Sequence, residues 1–229
     1  MIWRVGLFVR GSFPLPVSAV YAVAWALGVT GLYAALTPHR HGWRPDGGTA
    51  VAALTVTVDL LLLRAADDLR DLAYDRRHNP GRPLASGAVL PRDLVALFIV
   101  GAAALLLLNS GDATAALILG AQLAYTVVLV ATELKLGWPP GDAVVLSVML
   151  SSPVQVLLNY YLYEEFLRST GNSPDWFALM VALLVVMLAA SHHEFARKFV
   201  RSPRAGERTY VQVLGARGYT ALTVGFAAA

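Results

Sequence analysis

Residues 51–87 read VAALTVTVDLLLLRAADDLRDLAYDRRHNPGRPLASG, an apolar run that passes directly into a segment crowded with charge. The apolar part has the character of a membrane-spanning helix, which needs about 20 such residues. The charged part, residues 64–87, holds four aspartates and five arginines. Three of the aspartates, Asp67, Asp71 and Asp75, are spaced four residues apart, so on a helix they share one face. The stretch therefore predicts a transmembrane helix that ends in a row of carboxylates.

The whole chain has the composition of an integral membrane protein. Of its 229 residues, 57% are hydrophobic and 14% are charged, whereas soluble domains carry about 25% charged residues. Six windows have the length and apolar character that a bilayer span requires. These windows are residues 14–37, 49–66, 91–110, 113–134, 142–166 and 174–193.

We predict from these windows an all-α fold, a polytopic transmembrane helical bundle with six to seven helices, in a single domain at residues 1–229. The seventh apolar run is GYTALTVGFAAA, residues 218–229. As a helix it reaches about 18 Å, less than the apolar thickness of a bilayer. We expect either that further C-terminal helices are missing or that this run packs without spanning.

The basic residues predict the orientation of the bundle. With the N-terminus in the cytoplasm, 14 lysines and arginines fall in cytoplasmic segments and three in outer loops, which follows the positive-inside rule. We predict a multi-pass membrane protein with the N-terminus and the charged motifs on the cytoplasmic side. Nucleic acid is not an expected partner, because the basic residues flank spans and alternate with acids. The chain has no cysteine, which excludes disulfides and thiolate metal sites.

The aspartate row suggests a metal site. Like charges on one helix face repel, and a divalent ion with oxygen ligands would neutralise them. Mg²⁺ is the natural candidate, since it binds through one or two carboxylates together with substrate phosphates. Asp59 extends the same face into the membrane, where it either lines a cavity or makes a structural hydrogen bond. The alternative for the row is a solvated helix end. In that alternative Asp68, Asp71 and Asp75 pair with Arg70, Arg76 and Arg77.

A second charged segment, HHEFARKFVRSPRAGERTY at residues 192–210, follows the sixth apolar window. Glu194 and Glu207 are possible metal ligands there, and Arg197 and Lys198 are candidate phosphate partners, because cationic side chains bind phosphate oxygens. Carboxylates, a metal and basic side chains at the end of an apolar bundle suit an amphiphile with a phosphate head.

The motif residues resemble the UbiA superfamily of intramembrane prenyltransferases. DDLRDLAYD (67–75) is similar to the first aspartate motif of that family, and RPLASG (82–87) is similar to the turn that follows it. The resemblance implies a helical bundle that binds a prenyl diphosphate through Mg²⁺ and transfers the isoprenyl group to a lipophilic acceptor, often an aromatic ring. The membrane lipid is then the surrounding solvent.

The resemblance also implies roles for individual residues. Asp67, Asp68, Asp71 and Asp75 would be catalytic. The metal ligands would include Asp67, Asp71 and Asp75. The family's second motif, Asp-x-x-x-Asp after the sixth helix, is not present in this sequence, and Glu194 would supply a ligand in its place. Arg64 and Lys135, with Arg197 and Lys198, would bind the diphosphate. Two alternatives remain: a terpene cyclase that acts on the same class of diphosphate, and a non-enzymatic membrane protein.

Overall fold

The computed structural model describes residues 1–37, 42–140, 143–197 and 209–228, and in these ranges the chain is helical without strands. The helices are α1 (Ile2–Ser12), α2 (Leu15–Leu36), α3 (Gly47–Arg70), α4 (Leu72–His78), α5 (Pro91–Leu108), α6 (Ala113–Leu136), α7 (Val144–Thr170), α8 (Trp176–Arg197) and α9 (Tyr210–Ala228).

Six of these helices, α2, α3, α5, α6, α7 and α8, have the length and apolar composition to cross a membrane. They coincide with the six predicted windows, and the all-α prediction is confirmed. Large apolar side chains point away from the protein on several of them. Examples are Val20, Ile99, Leu117 and Phe177, each at least 62% exposed. Apolar surface of this extent is typical of a membrane interaction, so the chain is a multi-pass membrane protein.

Helix α3 lies at the centre of the bundle and packs against α2, α5, α6 and α7. Its contact with α5 is close, because a Cβ added to Gly101 would lie 2.5 Å from Leu62 Cδ2. Small residues allow such close approach between membrane helices. Since successive spans alternate in direction, one end of the bundle, here called the motif end, holds the C-terminal ends of α3, α6 and α8. The other is called the opposite end.

The opposite end is held by a buried polar network. Asn109, at the end of α5, donates to Thr55 Oγ1 at 3.0 Å and accepts a hydrogen bond from Tyr161 Oη at 2.9 Å. These contacts join α3, α5 and α7. Asp112 begins α6 as its N-cap and accepts from the backbone N–H groups of Thr114 and Ala115, which satisfies two donors that a helix start would leave unpaired.

Two short helices at the motif end were not predicted. Helix α1 is fixed to α5 by Arg4, whose Nε lies 2.6 Å from Asp93 Oδ2. Phe8 of α1 is fully buried against Leu84 and Leu94. Helix α4 carries Asp75, the last aspartate of the acidic row. Together they cover the end of α3, where the candidate site lies.

Helix α9 contains the seventh apolar run, and it is not among the six candidate spans. Its backbone departs from helical geometry at Gly215, with φ 68° and ψ 162°, a conformation that glycine adopts at no steric cost. Tyr210 and Tyr219 pack on Phe195 of α8. The N-terminal part of α9 and the start of this run therefore pack against α8.

Candidate functional site

The aspartate row lies on helical backbone, as its spacing predicted. Helix α3 ends at Arg70 and α4 begins at Leu72, with Asp71 at the junction. The hydrogen bonding continues across the junction, because Asp71 N donates to Asp67 O at 2.9 Å and Asp75 N donates to Asp71 O at 2.8 Å. The four aspartates nevertheless divide into two inner and two outer carboxylates.

The inner carboxylates, Asp68 and Asp75, are buried and held by protein groups. Asp68 Oδ1 lies 2.7 Å from Arg64 Nη2, and Asp68 Oδ2 accepts a hydrogen bond from Ser12 Oγ at 2.9 Å. Asp75 Oδ2 accepts from Arg82 Nη1 at 2.6 Å. Their side chains are only 2% and 4% exposed. These two carboxylates are in position to fix the helix end against α1 and the turn after α4.

The outer carboxylates, Asp67 and Asp71, surround Arg70 together with Glu133 of α6. Arg70 Nη2 lies 3.2 Å from Asp67 Oδ1, and its Nε lies 3.5 Å from Asp71 Oδ1 and 3.5 Å from Glu133 Oε2. The side chains of Asp67 and Asp71 are 51% and 31% exposed, so water and solutes reach them. Glu133 was not predicted, because nothing in its local sequence marks it as facing the end of α3.

The turn at residues 82–87 brings Arg82 back over the acidic row. Its backbone closes with Ser86 N donating to Arg82 O at 2.9 Å, and Gly87 takes a positive φ of 80° that suits glycine. Of the arginines in the solvated-end alternative, Arg70 does pair with an aspartate of the row. Asp68 and Asp75 pair with Arg64 and Arg82, two arginines that this alternative did not name.

The predicted metal-ligand set is not assembled in this arrangement. In the ranges described, no group of three or more His, Cys, Asp or Glu side chains is arranged to hold a metal ion. Asp75 Oδ2 is already paired with Arg82. Glu194 lies on a different helix, α8, which packs against α2, α7 and α9. Asp67 and Asp71 still offer exposed carboxylate oxygens, and Mg²⁺ needs only one or two of these when phosphates complete its shell. Metal binding by this pair stays a prediction.

The structure describes the side chains of two of the four predicted diphosphate-binding residues, Arg64 and Lys135. Arg64 has a buried Nε with no hydrogen-bond partner among the described side chains, so one of its donors is unused. Lys135 lies in the last turn of α6, exposed, two residues after Glu133. Arg197 is the last residue of α8, but its side chain lies outside the described residues, as does all of Lys198. Glu207 lies outside them too.

Two ion-paired groups lie at the motif end, one around Arg64 and Arg82 and one around Arg70. Together they are called the ion-paired cluster, which is anionic overall. Its members are Arg64, Arg70, Arg82, Asp67, Asp68, Asp71, Asp75 and Glu133. Five carboxylates and three guanidinium groups leave a formal charge of −2. A diphosphate alone would be repelled by this cluster, and a bound cation would remove the repulsion.

Polar residues of α7 beside Pro153 serve to join helices. Asn159 is fully buried, and its Oδ1 accepts a hydrogen bond from Trp25 Nε1 at 3.1 Å while its backbone oxygen accepts from Tyr33 Oη at 2.9 Å. Tyr125 of α6 donates to Leu150 O of α7 at 2.8 Å, one turn before the proline. These contacts connect α7 to α2 and α6.

No family model, curated protein or solved structure matches the chain. The resemblance to the prenyltransferase superfamily therefore rests on the motif residues 64–87 and stays a prediction. What the structure adds is two ion-paired groups at the end of an apolar bundle: Arg64 and Arg82 with Asp68 and Asp75, and Arg70 with Asp67, Asp71 and Glu133.

Proposed function

We propose that the chain is a magnesium-dependent intramembrane prenyltransferase, which transfers an isoprenyl group from a prenyl diphosphate to a lipophilic acceptor. The observation that carries the proposal is the ion-paired cluster at the motif end of six apolar helices. A prenyl diphosphate suits both parts of this arrangement. Its charged head would bind at the ion-paired cluster, and its apolar tail would lie among the apolar helices.

The cationic side chains of the cluster are the proposed diphosphate partners. Arg64 supports this role with its unused Nε donor. Arg70 already contacts three carboxylate groups, so it would shift toward phosphate oxygens only if those carboxylates bound a different cation. A planar guanidinium binds phosphate oxygens through two donors at once. Lys135 is proposed as an additional, single-point contact.

Asp67 and Asp71 are the proposed holders of Mg²⁺, because they are the accessible carboxylates of the row. When bound, Mg²⁺ would supply positive charge that stabilises the departing diphosphate. Asp68 and Asp75 are proposed as positioning residues, which hold Arg64 and Arg82 at the motif end of the bundle. The apolar helices then exclude water from the reacting carbon, which protects a reactive cation from hydrolysis.

The motif end is proposed to face the cytoplasm. The support is the distribution of lysine and arginine along the sequence, since 14 of 18 fall in the cytoplasmic segments when the N-terminus is placed in the cytoplasm. A cysteine introduced at Arg92, which is exposed at the start of α5, should then react with an impermeant thiol reagent only in inside-out vesicles. Reaction in right-side-out vesicles would show that the motif end faces the outside of the cell instead.

The ion pairing of the aspartates favours one other candidate, a non-enzymatic membrane protein. Each aspartate of the row contacts an arginine, and a row neutralised in this way needs no metal for its own stability. Such a protein would release no diphosphate from any prenyl substrate.

The experiment that tests the proposal is diphosphate release from geranyl, farnesyl and geranylgeranyl diphosphates. The full chain is reconstituted in lipid, with Mg²⁺ or with a chelator, and the lipid extract is analysed by mass spectrometry. We expect release that requires Mg²⁺. A product that contains an added acceptor identifies transfer, and a cyclic hydrocarbon or alcohol without acceptor identifies a terpene cyclase. Absence of release with every substrate would favour the non-enzymatic candidate.

A further inference from the structure

A buried acid and a buried amide meet near the middle of the bundle. Asp59 lies at the thirteenth residue of α3 and Gln122 at the tenth of α6, and both are fully buried. Gln122 Nε2 donates a hydrogen bond to Asp59 Oδ2 at 3.3 Å. The second oxygens of the two side chains, Asp59 Oδ1 and Gln122 Oε1, have no hydrogen-bond partner in the described part of the chain. Two acceptors in an apolar interior therefore lack a donor.

An ionised Asp59 would be poorly accommodated at this place. Its only hydrogen-bond or ion-pair partner among the described side chains is the neutral Gln122. The removal of a carboxylate from water costs several kcal/mol even after the protein relaxes. A buried acid without a cationic partner usually takes up a proton instead.

The charged residues of the helices that pack against α3 lie near their ends. They are Arg92 and Asp93 of α5, Glu133 and Lys135 of α6, Glu164, Glu165 and Arg168 of α7, and Asp75, Arg76, Arg77 and His78 of α4. Helix α2 contributes only the tyrosines Tyr21 and Tyr33 as titratable groups, and α6 and α7 add Tyr125, Tyr160, Tyr161 and Tyr163. On α3 itself, Arg64 is the nearest charged residue along the chain, and its guanidinium pairs with Asp68.

The lack of free space beside Asp59 Oδ1 and Gln122 Oε1 favours a proton as the ligand of this pair. A cavity large enough for water beside either oxygen would give that oxygen accessible surface, and both side chains have none. A metal ion with its other ligands needs still more room. A proton needs no volume, and it converts one acceptor into the donor that the other lacks.

We propose that Asp59 and Gln122 form a proton-binding site at the centre of the bundle. The proton is bound to Asp59 Oδ1, so that Asp59 is a neutral carboxylic acid and its O–H donates to Gln122 Oε1. Asp59 Oδ2 accepts from Gln122 Nε2, as the structure shows. An acid and an amide paired in this way satisfy both orphan oxygens with two hydrogen bonds. The site stands apart from the prenyl-transfer proposal, since it uses no residue of the ion-paired cluster.

Infrared spectroscopy of the full chain in lipid tests the proposal, with the aspartate carboxyl carbons isotopically labelled. Ionised aspartates at the surface, with pKa values near 3.9, give no carboxylic-acid carbonyl band at neutral pH. We expect one such band in the wild-type protein, shifted by the label and by exchange into D₂O. Because this measurement needs no variant, absence of the band in the wild-type protein overturns the proposal.

Two variants and one control assign the band to the site. Asp59→Asn should remove it, whereas Asp112→Asn, an isosteric change at the N-cap of α6, should leave it unchanged. Gln122→Leu should move the band to higher frequency, because the acid loses its amide partner. A band that survives Asp59→Asn belongs to another residue and overturns the assignment. If replacing K⁺ with Na⁺ abolishes the band, the site binds a metal cation, which also overturns it.

Discussion

Arg82 Nη1 lies 2.6 Å from Asp75 Oδ2, so the arginine that opens the RPLASG turn neutralises the last carboxylate of the aspartate row. The same Arg82 nitrogen lies 3.9 Å from Asp68 Oδ1. The turn and the acidic row are therefore one structural unit. Its buried half holds the helix end in place, and its exposed half consists of Asp67 and Asp71.

The first prediction concerns this pair. Arg82→Ala should lower the free energy of unfolding by about 1–3 kcal/mol, because a buried carboxylate oxygen loses its donor. The result is expected in the lower half of that range, since Arg82 is 37% exposed and Asn79 still donates to Asp75. Thermal unfolding in detergent measures it, with the exposed Arg76→Ala as control. Arg82→Ala combined with Asp75→Asn should recover part of the loss, and no recovery would mean that the pair is not the cause.

The second prediction separates the exposed carboxylates from the buried ones. Asp71→Asn should keep the unfolding temperature near that of the wild-type protein, because Asp71 is partly exposed and its contact with Arg70 is 3.5 Å long. Diphosphate release should fall by at least about 100-fold, the scale expected when an electrostatic contact to a developing charge is removed. Asp112→Asn, at the opposite end, is the matched control. Release near the wild-type rate in Asp71→Asn would remove Asp71 from the proposed metal site.

The third prediction concerns Glu133. Glu133→Gln removes one of three carboxylates around Arg70 and should cost less than about 1 kcal/mol of stability. If the cluster binds Mg²⁺, the loss of negative charge should raise the Mg²⁺ concentration that gives half-maximal diphosphate release. A titration of release against Mg²⁺ measures this shift. An unchanged midpoint would restrict Glu133 to a structural contact with Arg70.

The fourth prediction tests the contact between α1 and the turn. A Cβ at Gly11 would lie 2.6 Å from Pro83 Cγ, so Gly11→Ala should overpack this contact and cost about 1–3 kcal/mol. Gly6 lies on the same helix with nothing within 4 Å of its added Cβ. Gly6→Ala should therefore be neutral or stabilising by about 0.5–1 kcal/mol. Equal unfolding temperatures for the two variants would contradict the packing.

The fifth prediction is a dependence of stability on pH at the start of α3. The backbone N–H of Thr49 donates to Asp46 Oδ1 at 2.9 Å and holds the pKa of Asp46 below its ordinary value of 3.8. Because the folded pKa is the lower one, the contribution of this cap is present above the unfolded pKa and is lost as the pH falls through the folded pKa. The difference in unfolding temperature between the wild-type protein and Asp46→Asn should be constant near neutral pH and shrink in acid. A difference that does not change with pH would exclude this linkage.

The six spans could be predicted because lipid imposes a simple requirement on sequence. Each crossing helix must be apolar for about 20 residues, and the windows found this way match α2, α3, α5, α6, α7 and α8. The same criterion did not predict α1, because this helix has only 11 residues and carries Arg4 and Arg10. It folds as a helix in the context of the bundle, where Phe8 is buried and Arg4 meets Asp93.

Residue spacing placed Asp67, Asp71 and Asp75 on consecutive helical turns, because the α-helical repeat is a local property. Spacing did not separate Asp75, which is buried, from Asp67, which is half exposed. That division follows from α1 and the 82–87 turn packing on one side of the row. Burial depends on neighbours that are distant in sequence, so a helical pattern alone does not report it.

The sequence by itself determined the membrane class, the number of spans and the position of the acidic row, since hydrophobic length and helical period act over short distances along the chain. Only the tertiary structure decided which arginine neutralises which aspartate, that Glu133 joins Arg70, and that Asp59 meets Gln122. These pairs span up to 63 residues of sequence. Their formation depends on how the helices pack, because a side chain finds its partner by position in space rather than by separation along the chain.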